Sequence, residues 1–321
     1  MPMSSAEVNQ AITNQMIAAL KAGTVPWRVP WKHGYFTPPV SLATGQAYRG
    51  INRFILALTA MDKGYTSPWW ATYDTLAAKA GMVKKVNARG HGYWSSPDGT
   101  PRGVRKGEKS TLVVWYSPVF KQDADGEKKI AFFRTGSARV FNACQAEALP
   151  AHLYAAPARP GVDAVVAADK MVARYLAGHG PHLRHLPGGR AYYEVDADLI
   201  TLPDKGQFTT GRTYYPVLFH ELSHSTGHPS RLNRDGIASF DHFGSGQYAR
   251  EELVAELSAS MLAQYTGIEA DIDNSAAYLA SWLAKLESDP KLIVSAATQA
   301  QKVIDYIIGE APGDEPGRQQ R

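Results

Sequence analysis

HELSHSTG, His220 to Gly227, sets two imidazoles four residues apart with a glutamate beside the first. On a helix, positions four apart share a face, so His220 and His224 aim at one point and Glu221 stands next to it. This is how a helix holds Zn²⁺ and keeps a general base beside the metal's water. The preceding GRTYYPVLF suits a helix starting near Thr213, with Pro216 in its first turn and Gly227 as its stop.

Two histidines leave a zinc site incomplete, and a third protein ligand is expected. His228 would need the helix to continue through Gly227. The three-histidine pattern HExxHxxGxxH runs as far as Gly227, but its last position is Ser230, which excludes it. The next strong helix, Tyr248 to Gly267, reads YAREELVAELSASMLAQYTG. Leu253, Leu257, Met261 and Gln264 mark one stripe of it, and Glu252 and Glu256 share another face. Carboxylates so aligned are tolerable toward a dication and repel without one. Glu251 is the neighbouring alternative to Glu252.

Around these helices, Ala164 to Leu176 is helical, and alternation at Tyr193, Val195, Ala197 and Leu199 suits a strand with one covered face. Such a strand offers an edge for an extended peptide. Asp271 to Leu286 and Leu292 to Ile308 read as buttressing helices, and residues 311–321 as a disordered tail. Tyr214, Tyr215, His228 and His242 are candidate donors to a developing oxyanion, with His228 preferred.

Composition limits the alternatives. The chain of 321 residues has room for two domains, and 44% hydrophobic against 20% charged residues indicates a globular protein. No apolar run approaches the roughly 20 residues needed to span a bilayer, and the first twenty residues lack a signal-peptide pattern. The expectation is a cytoplasmic protein without membrane contact. The single cysteine, Cys144, excludes an internal disulfide and leaves metal ligation to histidine and carboxylate.

Charge divides the chain. Residues 1–145 hold 19 Lys/Arg against 8 Asp/Glu, a formal +11, and six of the seven tryptophans; residues 146–321 hold 15 against 22, a formal −7. The expected domains are 1–148, basic and aromatic, and 162–310, carrying the metal motif. The proline- and alanine-rich 149–161 links them. In the basic half, helices are expected over Val8–Leu20, Asn52–Lys63 and Tyr73–Ala80. Strands are expected at His91–Trp94 and Thr111–Phe120, returning over Lys129–Thr135 and from Ala138. Trp115 reads as core or half-buried. Phosphates require distributed cations, and unpaired bases stack on aromatic rings without sequence readout. Trp27, Arg28, Trp31, Lys32, Trp69, Trp70, Lys84, Lys85, Arg89, Tyr93, Trp94, Arg105, Lys106 and Lys109 supply both, so the half reads as a surface for single-stranded nucleic acid, with a protein or acidic-polypeptide partner, or a surface with no such role, as the alternatives. There is no zinc-finger spacing, groove-entering basic helix, Walker loop or dinucleotide fingerprint.

HELSHSTGHPSRL and EELVAELSA, with the basic aromatic half before them, resemble the plasmid antirestriction ArdC family over roughly residues 5–310. The resemblance implies an α+β protein of two domains: a mixed α/β domain binding single-stranded DNA and a zincin-like metallopeptidase domain. It implies Glu252 as third zinc ligand and Glu256 as a carboxylate supporting a ligand histidine. It also implies protection of incoming plasmid DNA from host restriction, with a host restriction component as a conceivable protein substrate. Two further readings stand beside it. One is a single-stranded-DNA-binding protein with a structural or vestigial zinc site; the other is an intracellular zinc protease with a basic recruitment domain.

Overall fold

A computed structural model describes residues 4–27, 38–122, 128–155, 163–238, 246–269 and 276–310. Two compact units divide the chain: residues 4–11 and 38–155 belong to the first, residues 12–27 and 163–310 to the second.

The first unit takes up the start of helix α1 (Ser5–Lys21) and then runs β1 (Val40–Ser41), α2 (Gly50–Lys63), β2 (Trp69–Ala71), α3 (Tyr73–Lys79), β3 (Val83–Val86), β4 (Gly92–Ser95), β5 (Gly103–Val104), β6 (Thr111–Gln122), β7 (Lys128–Asn142) and β8 (Ala146–Glu147). Its main sheet has the order β1-β2-β7-β6, with β1 and β2 parallel and the other neighbours antiparallel. The long β6–β7 ladder absorbs both return segments expected from sequence into one continuous strand. Trp115, expected to be core or half-buried, is half-buried: it lies over its register partner Gly136, where a Cβ would come within 2.3 Å of the indole. On the sheet, Tyr48, Leu56, Trp70, Val113 and Val140 form a buried cluster. A buried amide pins α2 there: Asn52 donates to the Val114 carbonyl at 2.5 Å and accepts from the Val114 N–H at 2.8 Å. Both groups of a fully buried side chain are thereby satisfied, as burial requires. A second cluster, including Leu76, Ala80, Ala143 and Leu153, seats α3.

The second unit begins with the rest of α1. Thr13 donates to the Pro290 carbonyl, Lys21 pairs with Glu287 at 3.0 Å, and Trp27 packs edge-on against Trp282 with its indole N–H on Tyr278. Residues 12–27, expected with the basic domain, therefore pack within the other unit. The unit continues with α4 (Ala164–Gly178), β9 (His182–Leu186), β10 (Tyr192–Glu194), β11 (Leu199–Pro203), α5 (Gly211–Ser225), α6 (Asp235–Ala238), α7 (Gly246–Thr266), α8 (Ala276–Ser288) and α9 (Leu292–Ile308). Asp163 caps α4 by accepting from the Val165 and Val166 N–H groups, an N-cap interaction worth ~1 kcal/mol. The sheet order is β10-β11-β9. The single strand expected over Tyr193–Leu199 is in fact a hairpin, because Asp198 turns the chain at φ +46°. Aspartate tolerates that left-handed conformation better than most residues.

Helix α7 contacts both α5 and α9. Leu253, Val254, Ala255, Leu257, Met261 and Leu262 are all buried, so apolar residues lie all round it, as in a helix at the centre of a core.

Candidate metal centre

Helix α5 opens on a capping box between Thr210 and Thr213, two residues earlier than its sequence suggests. Leu218, Phe219 and Leu222 anchor it in the core. Its last turn is built of small buried hydroxyl residues that each donate back to the helix. Ser223 donates to the Phe219 carbonyl, Ser225 to Leu222 and Thr226 to Ser223, each at 2.7 Å. These internal bonds help three hydroxyls to be buried, and Ser225 and Thr226 are further met by Tyr175 and Arg234.

Against this helix, α7 brings up Glu252. One ligand atom each from His220, His224 and Glu252 lie within 4.8 Å of one another. The two Nε2 atoms are 3.0 Å apart, and each is 3.6 Å from a Glu252 carboxylate oxygen. Metal–ligand bonds of about 2.05 Å in tetrahedral geometry separate donor atoms by about 3.3 Å. The observed spacings bracket that value, so the donor set fits a cation of this size. Glu221 is buried beside His220.

The electrostatics fit as well. Burial opposes charge on His220, but the carboxylates of Glu252, Glu221 and Glu256 outweigh it and raise its pKa. Burial likewise opposes ionisation of Glu252, yet the two histidines draw it down to about 2. The cluster thus carries a carboxylate charge that a cation would balance.

Two partners were not evident in the sequence. Glu251, considered only as an alternative ligand, is almost fully buried and lies 3.2 Å from His224 Nδ1. It touches His224 from the side away from the cluster, while Glu256, expected to support a histidine of the cluster, raises the pKa of His220 through its charge. Tyr248 hydrogen-bonds Glu252, and burial together with the charges of Glu252 and Glu221 pushes its phenol up to about 12. It lies one helical turn before Glu252, a spacing that could have flagged it.

His228, the preferred oxyanion donor, is tied to Ser230, with its Nδ1 accepting from the Ser230 N–H at 3.1 Å. Tyr214 is engaged by His185, Tyr215 donates to Asp169, and His242 lies outside the described residues. Next to His228, the buried Arg231 donates to both oxygens of Asp198, to the Ser225 and His179 carbonyls and to Tyr193. This clasp ties the end of α5 to the β10–β11 turn.

The expected DNA contacts separate into groups. Trp27 and Trp70 are each 1% exposed, so they are core residues and offer no face for a base. Arg28, Trp31 and Lys32 lie outside the described residues. Trp69 is half-buried against the α3 cluster. Lys84, Lys85, Arg89 and Tyr93 are exposed on the β3–β4 hairpin, where Lys84 pairs with Trp94 and Lys85 with Tyr93 in register. Trp94 is half-buried; its indole donates to Asp74, and Lys84 Nζ sits 5.8 Å from its ring. Lys106 and Lys109 are exposed, whereas Arg105 donates to Glu108 at 2.6 Å and to the Cys144 carbonyl at 2.8 Å.

A helix bearing His220, Glu221 and His224, faced by a glutamate helix and accompanied by a small sheet, defines a zincin-like metallopeptidase domain, and residues 170–299 match the zincin-like metallopeptidase family model. Residues 6–141 match the N-terminal domain of anti-restriction factor ArdC. The metal-free crystal structure of antirestriction ArdC protein from the R388 plasmid is 36% identical, with 94% of this chain and 96% of that one covered at a TM-score of 0.69. The Mn(II)-bound structure of the same protein is 34% identical, with 97% and 99% covered at a TM-score of 0.70. Escherichia coli DNA primase TraC is 36% identical over 303 residues, but this chain, 94% covered, spans only 27% of that relative's length. Protein y4eC of Sinorhizobium fredii is 32% identical, with 95% of this chain and 93% of the relative covered. The chain belongs to the ArdC antirestriction family. Its zincin-like domain implies a divalent metal; with a Mn(II)-bound neighbour, the expectation of zinc widens here to that class. Among the described residues, no helix is long and apolar enough to cross a membrane.

Proposed function

We propose that this protein is a cytoplasmic antirestriction factor that covers incoming single-stranded plasmid DNA with its first unit and hydrolyses peptide bonds with its second. The observation that carries the hydrolytic reading is the convergence of His220, His224 and Glu252 beside a buried Glu221. These three side chains would hold Zn²⁺. A bound cation would polarise a carbonyl and make water a stronger nucleophile near neutral pH. Glu221 takes the proton of the attacking water and passes it to the leaving amine. Tyr248, bonded to Glu252, is the phenol proposed to donate to the carbonyl oxygen as charge develops there. Burial of Glu221 also supports hydrolysis over a structural site, because a closed structural site has no use for a base.

The DNA reading rests on the hairpin. No acidic residue occurs from position 75 to 97, while Lys79, Lys84, Lys85 and Arg89 do, and three of those cations share an exposed ribbon with Tyr93. Cations spaced along a ribbon with an exposed ring suit phosphates and unpaired bases.

Glu221→Gln tests the hydrolytic part. The expected result is retained zinc and at least a 10²-fold loss of peptidase activity, on the order of a lost general base. Full activity in this variant would refute the role. Restriction assays on the same variant then show whether protection requires hydrolysis; unchanged protection would assign it to DNA cover alone.

A further inference from the structure

Behind His224, on the side away from the ligand cluster, lies a buried ion pair that the hydrolytic chemistry does not use. Arg234 donates from Nε to Glu251 Oε2 at 2.9 Å and from Nη2 to Oε1 at 2.5 Å. The remaining guanidinium contacts are Nη1 to Thr226 Oγ1 at 2.6 Å and Nη2 to the Ser223 carbonyl at 2.8 Å. The two side chains are 7% and 5% exposed. A buried ion pair is weak evidence of stabilisation, since apolar residues of similar volume often serve as well. This pair has a third member: Glu251 Oε1 also lies 3.2 Å from His224 Nδ1.

The local backbone is shaped for the contact. A Cβ at Gly236 would sit 2.8 Å from the Glu251 Cβ, and one at Gly227 would sit 2.6 Å from Ile237 and 3.0 Å from Arg234 Nη2. Asn233 takes φ +45° just before Arg234. Helix α6 thus lies against α7, and the turn after α5 against α6, at distances only glycine permits. Consecutive carboxylates on α7 then address both nitrogens of one imidazole: Glu251 at Nδ1 and Glu252 near Nε2, 3.6 Å away.

A carboxylate held by a guanidinium can only accept at Nδ1, so in the neutral ring that nitrogen carries the proton and Nε2 keeps its lone pair. We propose that Glu251 is a positioning residue of the metal centre: clamped by Arg234, it fixes His224 in the Nδ1–H tautomer and thereby sets metal affinity. This rests on the reading of His220, His224 and Glu252 as the ligands.

The test uses the full chain and zinc as probe, with affinity measured by chelator competition and the His224 tautomer read from ¹⁵N shifts of the metal-free protein. In Glu251→Gln the carboxylate charge is lost and an NH₂ replaces one of the two oxygens that Arg234 and His224 share, so the acceptor that holds the proton on Nδ1 is weakened. The expected result is an Nδ1–H tautomer in the parent chain, a shift toward Nε2–H in the variant, and zinc affinity about 10–100-fold lower. Unchanged affinity, or an Nε2–H tautomer in the parent, would overturn the proposal. If Glu251→Gln does not fold, the paired change Arg234→Met with Glu251→Leu removes both charges together, and the same fall in affinity is expected. His224→Ala and Glu252→Ala serve as controls. Zinc retained by both would defeat the ligand assignment itself, whereas zinc lost in both with Glu251→Gln unaffected defeats only the positioning role.

Discussion

Trp27 shows how one side chain can carry opposite readings. Between Val25 and Arg28, in a basic half rich in tryptophan, it suits base stacking; folded, it is buried between Tyr278 and Trp282. Local sequence has no record of a partner some 250 positions away. Trp27→Ala is expected to cost ~3–5 kcal/mol, as for other large buried aromatics, measured by chemical denaturation; a loss below ~1 kcal/mol would contradict core placement. Asp198 makes a different kind of contribution. Burial disfavours its charge, but Arg231 and Tyr193 more than compensate and lower its pKa from the ordinary 3.8. A depressed carboxylate stabilises the fold fully above its unfolded pKa, and that stabilisation is lost as pH falls through the lower native value. Asp198→Asn should therefore be less stable than the parent at pH 7, with the gap closing below about pH 4. A gap that persists undiminished into acid would show that the aspartate charge is not the cause.

At the scale of elements, legibility followed the range of the interactions. Helices α2, α3, α5, α7 and α9 have apolar spacing or local capping that sequence displays directly. The facing of His220 and His224 is local as well, because it needs only helical geometry. What was hidden depends on tertiary contact. Alternation through Tyr193–Leu199 looks like one strand, but the clasp of Arg231 on Asp198 makes a turn there. Glu251 and Glu252 are adjacent and chemically identical, and only the rotation of α7 against α5 decides which faces the ligands and which faces Arg234. The β3–β4 hairpin is the element expected to hold DNA. Changing Lys84, Lys85 and Arg89 together to Ala should weaken single-strand binding and lower the slope of log affinity against log salt by about 2, at ~0.7 per lost phosphate contact. An unchanged slope would move the DNA surface elsewhere.

For the molecule as a whole, the charge division of +11 before residue 146 and −7 after it anticipated two bodies of different chemistry. Composition could not show that residues 12–27 pack with the acidic one, since the pairings that place them lie beyond residue 275. Family membership spans both bodies, as the matches over residues 6–141 and 170–299 show. The central claim is that His220, His224 and Glu252 hold a divalent cation for which Glu221 is the base. The most direct test is zinc bound per chain after exhaustive dialysis against metal-free buffer, compared among the parent chain, Glu252→Ala and Glu221→Gln. The predicted result is one zinc per chain in the parent and in Glu221→Gln, and a fall of at least about tenfold in occupancy at limiting zinc for Glu252→Ala. Full zinc in Glu252→Ala, or its loss in Glu221→Gln, would contradict the account.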